Sequence, residues 1–203
     1  MSLPCEGSPT IIKALRVLLL EDSEADAALI QDELQRSEMP TLLKRVDSEE
    51  EFSAALAEFA PDVVLSAHML STFDSRAALT ILRAERPTTP LIFVTDSLNG
   101  QQTVACVRSG AEDVIFKPHL DRLAESIAGA VTVRQPLEKL TPRQIEVLRL
   151  VSEGRRTREI ASTLGLSVKT VESHRGEVMK RLGMHDVVSL VRFAMRVGLV
   201  TAP

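Results

Sequence analysis

Five short apolar runs, each too short for a helix, alternate with helix-periodic stretches over the first two-thirds of the chain. The runs are Val17–Leu20, the Leu42, Leu43 and Val46 set, Val63–Ser66, Leu91–Val94 and Val114–Phe116. Between them, apolar residues recur at helical spacing: Ala27, Leu29, Ile30 and Leu34, then Phe52, Leu56 and Phe59 behind Ser48 as N-cap. Ala77, Ala78, Ile81 and Leu82 follow, closed by Pro87 and Pro90; then Thr103, Val104 and Val107, ended by Gly110; then Leu120–Val133. Continuous apolar strands, rather than alternating ones, belong to a parallel sheet covered by helices on both faces. Five β-α units predict an open five-stranded α/β sheet over residues 14–134, preceded by a tail at 1–13.

Open α/β sheets place their chemistry outside the carboxyl ends of the strands. Those ends carry Glu21 and Asp22 after the first run, Ala67 after the third, Thr95 after the fourth and Lys117 after the fifth. Two acids, a hydroxyl and an ammonium therefore converge in one crevice. Ala67 is the exception, a methyl where its neighbours are all functional.

Residues 135–140, with Pro136, read as a linker, and beyond them the pattern is helical only. Thr141, Pro142 and Gln144 supply an N-cap, a first-turn proline and a capping-box glutamine. Thr157, Ser167 and Asp186 open three more helices, and Gly154, Gly165, Gly183 and Gly198 close the four. Two short segments joined by Leu164-Gly165-Leu166-Ser167 and followed by a longer helix have the form of a helix-turn-helix. The polar first turns of the longer helix suit base edges, which present patterned donors and acceptors. Charge divides the same way: residues 1–136 hold 12 Lys/Arg against 21 Asp/Glu, net −9, and residues 137–203 hold 12 against 7, net +5. A basic second domain predicts a polyanionic partner.

Cys5 and Cys106 form no framework and are expected as reduced thiols in a cytoplasmic protein, and the four scattered His make no zinc-like cluster. No apolar run reaches the roughly 18 residues of a membrane span, and the first residues show no secretory signal. No nucleophile–base pair argues for an enzyme.

The segment from Leu140 to Gly183, with its opening Leu140-Thr141-Pro142-Arg143-Gln144 and its Leu166–Leu182 recognition stretch, resembles the LuxR/FixJ-type DNA-binding domain. That resemblance implies a four-helix module over 141–203, homodimeric binding to a two-fold site on double-stranded DNA, and a last helix (about 186–197) that dimerises through Val187, Leu190, Val191 and Ala194. It places Glu172, Ser173 and Gly176 toward the groove, and Arg158, Lys169, Thr170, Arg175 and Lys180 on backbone or bases; Val171 and Leu182 are expected in the core.

The first domain resembles a two-component receiver, a flavodoxin-like fold, through its Leu18–Asp26, Pro61–Ser75, Leu91–Asp96 and Ser109–Pro118 segments. The resemblance implies Glu21, Asp22 and the His68 backbone carbonyl as Mg²⁺ ligands, Thr95 and Lys117 as phosphoryl-binding residues, and a cognate histidine kinase or phosphotransfer protein as partner. The phosphoacceptor aspartate falls on Ala67, 28 residues before Thr95 and 50 before Lys117. A methyl is no nucleophile, so no acyl phosphate is expected there, and Mg²⁺ binding is expected to be weak or absent. Three other positions depart from the pattern: Val114 where an aromatic switch residue is usual, Asp96 where a small residue is usual, and Ser71 in place of a loop proline.

Two origins fit Ala67: an engineered Asp→Ala in an ordinary regulator, which the retained Glu21, Asp22, Thr95 and Lys117 favour, or a natural pseudo-receiver serving protein interaction, which Val114 and Asp96 favour.

Overall fold

The computed structural model describes residues 14–71 and 73–200; the expected 1–13 tail and Cys5 lie outside them. Five parallel strands, β1 (Leu15–Leu20), β2 (Thr41–Val46), β3 (Val63–Ala67), β4 (Leu91–Thr95) and β5 (Asp113–Phe116), form one sheet in the order β2-β1-β3-β4-β5. Helices α1 (Glu24–Arg36), α2 (Glu49–Glu58), α3 (Ser75–Glu85), α4 (Gly100–Arg108) and α5 (Leu123–Arg134) cover both faces. The central strands β3 and β4 are buried along their whole length, which is why their sequences are continuously apolar. Alternate side chains feed two cores. Leu18, Leu20, Val64 and Phe93 pack with Phe52, Leu56 and Leu82 on one face. Val17, Leu19, Leu65 and Ile92 pack with Ile30, Leu34 and Ile127 on the other.

Local capping agrees with the sequence at Ser48, whose hydroxyl accepts the Glu51 N–H, and at Thr141, where the Gln144 side chain returns the bond. The Leu120–Val133 helix instead begins as a 3-10 turn over Lys117–Arg122 and is α-helical only from Leu123. A 3-10 turn, Gln135–Lys139, also takes the place of an open linker. Its Leu137, with the following Leu140, is buried among Leu148, Leu190 and Phe193 of the C-terminal domain. Pro136 sits in the first positions of that turn, where its missing N–H costs nothing.

The C-terminal domain consists of α6 (Pro142–Ser152), α7 (Thr157–Leu164), α8 (Val168–Leu182) and α9 (Val187–Arg196). Helix α7 is capped from Arg156 rather than Thr157, because the Glu159 carboxylate takes the Arg156 N–H at 2.8 Å. Gly165, at φ +63°, turns the chain from α7 into α8. Helix α6 packs against both α8 and α9.

The two domains meet at the end of α9. Gly198, at φ +68°, lies so close to the receiver side that a β-carbon there would stand 3.1 Å from Arg134 Nη2 and 3.4 Å from Arg83 Nη2. Arg134 is buried and pairs with Glu112 at 2.5 Å, and Arg83 donates to the carbonyls of Pro87, Thr89 and Gly110. Burial, with Arg134 alongside, pulls the Arg83 guanidinium down to about 10.

Candidate functional sites

The register sets the first site. Leu20 pairs with Ser66, Ala67 with Val94, and Thr95 with Phe116, so the tips of β1, β3, β4 and β5 end side by side. Glu21, Ala67 and Thr95 are all buried at those tips. The sheet thus gathers the residues that sequence reasoning selected, but their side chains are engaged differently from the expectation.

Glu21 is 2% exposed; its Oε1 accepts the Ser23 N–H at 3.0 Å and its Oε2 is buried without a hydrogen-bond partner. Burial pushes its carboxyl above the usual range, against the opposing pull of the Ser23 N–H and Lys117. Asp22 is held by Ser71, whose hydroxyl and N–H both donate to Oδ2, at 2.6 and 2.7 Å. Those two bonds lower the Asp22 pKa. The serine that replaces the usual loop proline thus supplies two donors, one of them an N–H that proline lacks.

Lys117 is engaged by two carboxylates. Its ammonium sits 2.7 Å from Asp26 on α1 and 2.8 Å from Asp96 after β4. Burial works against the charge, but the bonds to Asp26 and Asp96 outweigh it and hold the Lys117 pKa above its ordinary value. Asp26 was not among the residues the sequence singled out. Neither was Arg45 on β2, whose guanidinium donates to the carbonyls of Glu21 at 2.8 Å and Asp22 at 2.9 Å, fixing the loop after β1.

The His68 carbonyl, expected as a metal ligand, accepts the Ser75 hydroxyl at 2.8 Å. The His68 imidazole meets the Phe93 ring edge-on with centroids 5.6 Å apart, and Nδ1 lies 3.7 Å from the Cys106 thiol. Val114 is buried on β5 opposite Phe93 in register, within the core shared with α2, α3 and α4. The residues do not fit Mg²⁺ as they stand: Ser71 holds one oxygen of Asp22, Ser75 donates to the His68 carbonyl, and the side chain at 67 carries no oxygen. Among the described residues, no three His, Cys, Asp or Glu side chains group to hold a metal.

The second site is the outer face of α8. Lys169, Glu172, Ser173, Gly176 and Lys180 form one exposed stripe, while Val171 and Val178 are buried on the opposite side. Thr170 and Arg175 are half-buried beside it, and the Thr170 hydroxyl is 2.8 Å from Ser167 at the cap. Leu182 packs at the edge of the core. Arg155, Arg156 and Arg158 are exposed at the start of α7. A β-carbon at Gly176 would meet nothing within 4 Å, so no internal packing requires a glycine there.

The expected dimerising set on α9 needs correction. Leu190 and Ala194 are 1% and 0% exposed and belong to the domain core with Leu148 and Val178. The apolar residues this helix leaves exposed are Val187, Val188 and Met195, with Val191 half-buried. Apolar residues run around most of α9, so periodicity alone did not distinguish its core stripe from its outer one.

Residues 17–128 match the response regulator receiver domain, and residues 138–194 match the LuxR family of bacterial regulatory proteins. The response regulatory protein YgeK of Escherichia coli is 33% identical over 117 residues, covering 49% of this chain and 80% of that protein. The transcriptional regulatory protein TdiR of Thauera aromatica is 31% identical over 122 residues, covering 53% of this chain and 54% of that one. Full-length FixJ from B. japonicum has the same fold, at a TM-score of 0.54 and 23% identity over 92% of this chain and 98% of that one. A structure of two RcsB dimers bound to two parallel DNAs aligns at 0.52 and 22% identity over 89% of this chain and 98% of that one.

Proposed function

Since the chain belongs to the response regulators, with a receiver domain and a LuxR-family DNA-binding domain, we propose that it is a transcription factor whose receiver works without phosphorylation at position 67. The exposed stripe on α8 carries the DNA-binding half of this reading. Lys169 and Lys180 supply charge for phosphates, and Glu172 and Ser173 supply an acceptor and a hydroxyl for base edges. Glu172 is suited to a cytosine amino group. Gly176 supports the same face: glycine inside a helix costs about 1 kcal/mol relative to alanine, and with nothing inside the domain requiring it, close approach of the DNA is its use. Arg155, Arg156 and Arg158 at the start of α7 would meet the flanking backbone.

The chain binds double-stranded DNA as a homodimer, through the exposed α9 face of Val187, Val188, Val191 and Met195 rather than the set with Leu190 and Ala194. It works in the cytoplasm and is not an enzyme; among the described residues no helix is long and apolar enough to cross a membrane. Ala67 leaves the histidine kinase or phosphotransfer protein of the family with no acceptor at that site. A second reading, a pseudo-receiver retained for protein docking that controls the DNA-binding domain, is favoured by the engagement of Lys117 with Asp26 and Asp96.

Selection of bound duplexes from a random pool by the full chain, followed by titration of the winner against salt, tests the reading. Enrichment of a two-fold motif with steeply salt-dependent affinity is expected; no enrichment and no salt dependence would refute it.

A further inference from the structure

We infer that the receiver site has been rewired around Ala67, so that restoring an aspartate there does not by itself restore a phosphoacceptor. This rests on the reading that position 67 is the acceptor position, and extends it from one missing residue to the group that surrounds it.

Three independent engagements carry the inference. The Lys117 ammonium, 13% exposed at its side chain, is bound at 2.7 and 2.8 Å by Asp26 and Asp96, two carboxylates for one positive charge. Asp22 is saturated on one oxygen by both donors of Ser71. The His68 carbonyl is taken by Ser75. Lys117, Asp22 and the His68 carbonyl, three of the groups that would position a phosphoryl donor or its cation, each bond to a partner of this chain.

The consequence for a carboxylate at 67 follows from charge. Ala67 is 5% exposed. A carboxylate introduced there ends β3 in a crevice whose ammonium, Lys117, is already bound by Asp26 and Asp96. Two carboxylates already divide that one positive charge, which leaves less of it for a third carboxylate or for an incoming phosphoryl group. Phosphoryl transfer requires a carboxylate oxygen to bond to phosphorus as the donor's P–O bond breaks and acetate leaves. That step lacks the cation that would steady the transferring phosphoryl oxygens while Asp26 and Asp96 hold Lys117.

The experiment uses the full chain, labelled acetyl phosphate and Mg²⁺, with Mn²⁺ broadening of amide resonances as a separate reading of cation binding. Ala67→Asp alone should show no label above the unsubstituted chain and no saturable broadening at the strand tips. Ala67→Asp combined with Asp26→Ala, Asp96→Ala and Ser71→Ala should gain both. Efficient labelling of the single variant overturns the rewiring while leaving the lesion at Ala67 intact. Labelling of the unsubstituted chain overturns the underlying assignment of position 67. A folded combined variant that stays unlabelled overturns the role given to Asp26, Asp96 and Ser71. Should either variant fail to fold, the Lys117 ammonium is read in the unsubstituted chain: its protons should exchange slowly enough to give a cross-peak, and should lose it in Asp26→Asn/Asp96→Asn. A Lys117 ammonium that exchanges freely in both chains overturns the proposal.

Discussion

Gly198 and Gly183 offer a matched pair for measuring how firmly the two domains hold each other. Both close helices of the C-terminal domain, at φ +68° and +65°. An alanine at either position pays the same penalty for left-handed backbone, roughly 1–2 kcal/mol. Their surroundings differ. At Gly183 a new β-carbon meets nothing within 4 Å, whereas at Gly198 it meets Arg134 Nη2 at 3.1 Å and Arg83 Nη2 at 3.4 Å. Arg134 cannot yield cheaply, because it is 5% exposed and its other nitrogen pairs with Glu112 at 2.5 Å. Forcing a well-packed group aside costs about 1–3 kcal/mol. Gly183→Ala should therefore lower stability by about 1–2 kcal/mol, and Gly198→Ala by about 2–5 kcal/mol, the sum of backbone and displacement costs. Urea unfolding followed by circular dichroism reads both. Equal losses would refute the reasoning, since the excess at Gly198 exists only if the end of α9 is seated against the two arginines.

Three further outcomes are expected. Ser71→Ala removes one of the two donors on Asp22 and should raise the depressed pKa of that carboxyl toward its ordinary value, as read by carbon-detected carboxyl titration. Because the folded pKa is the lowered one, the associated stability is present above the ordinary value and is lost as pH falls through the folded value; the variant should lose less on acidification below the ordinary range, and an unchanged titration would dismiss Ser71 as the cause. Leu190→Ala should cost about 2–5 kcal/mol as a cavity in the core, whereas Val188→Ala, at an exposed position, should leave stability nearly unchanged and weaken self-association; the reverse pattern in unfolding and sedimentation would overturn the corrected assignment of α9. Lys169→Ala should weaken binding to all duplexes alike and flatten the salt dependence, while Glu172→Ala should relax preference at one base step; equal effects of both on specificity would argue against the proposed division of labour.

The sheet was legible because its strands are buried on both faces, and full burial leaves a plain signature in Val17–Leu20, Val63–Ala67 and Leu91–Thr95. The crevice was legible for the same reason, since strand ends follow directly from strand runs. The partner Asp26 of Lys117 was not, because it lies 91 residues away in sequence and only the packing of α1 against the Lys117–Arg122 turn brings the two side chains together. Asp96 stood out in the sequence only as a departure from the usual small residue. Leu190 and Ala194 were misassigned because an apolar face shows that something is covered without saying by what. In the same way, Pro136 marked a boundary, but nothing local showed that Leu137 and Leu140 belong to the second core.

The buried turn couples the two domains mechanically. The receiver's final helix, α5, runs straight into the Gln135–Lys139 turn, and the turn is anchored by Leu137 and Leu140. Arg181 adds a bond to the Lys139 carbonyl at 2.7 Å. The joint therefore has little torsional slack, and a tilt of α5 is transmitted to α8 as a tilt rather than absorbed as bending. In a two-fold assembly, such gearing would make the distance between paired reading helices, and so the spacing of half-sites on the DNA, a readout of how the receivers are set.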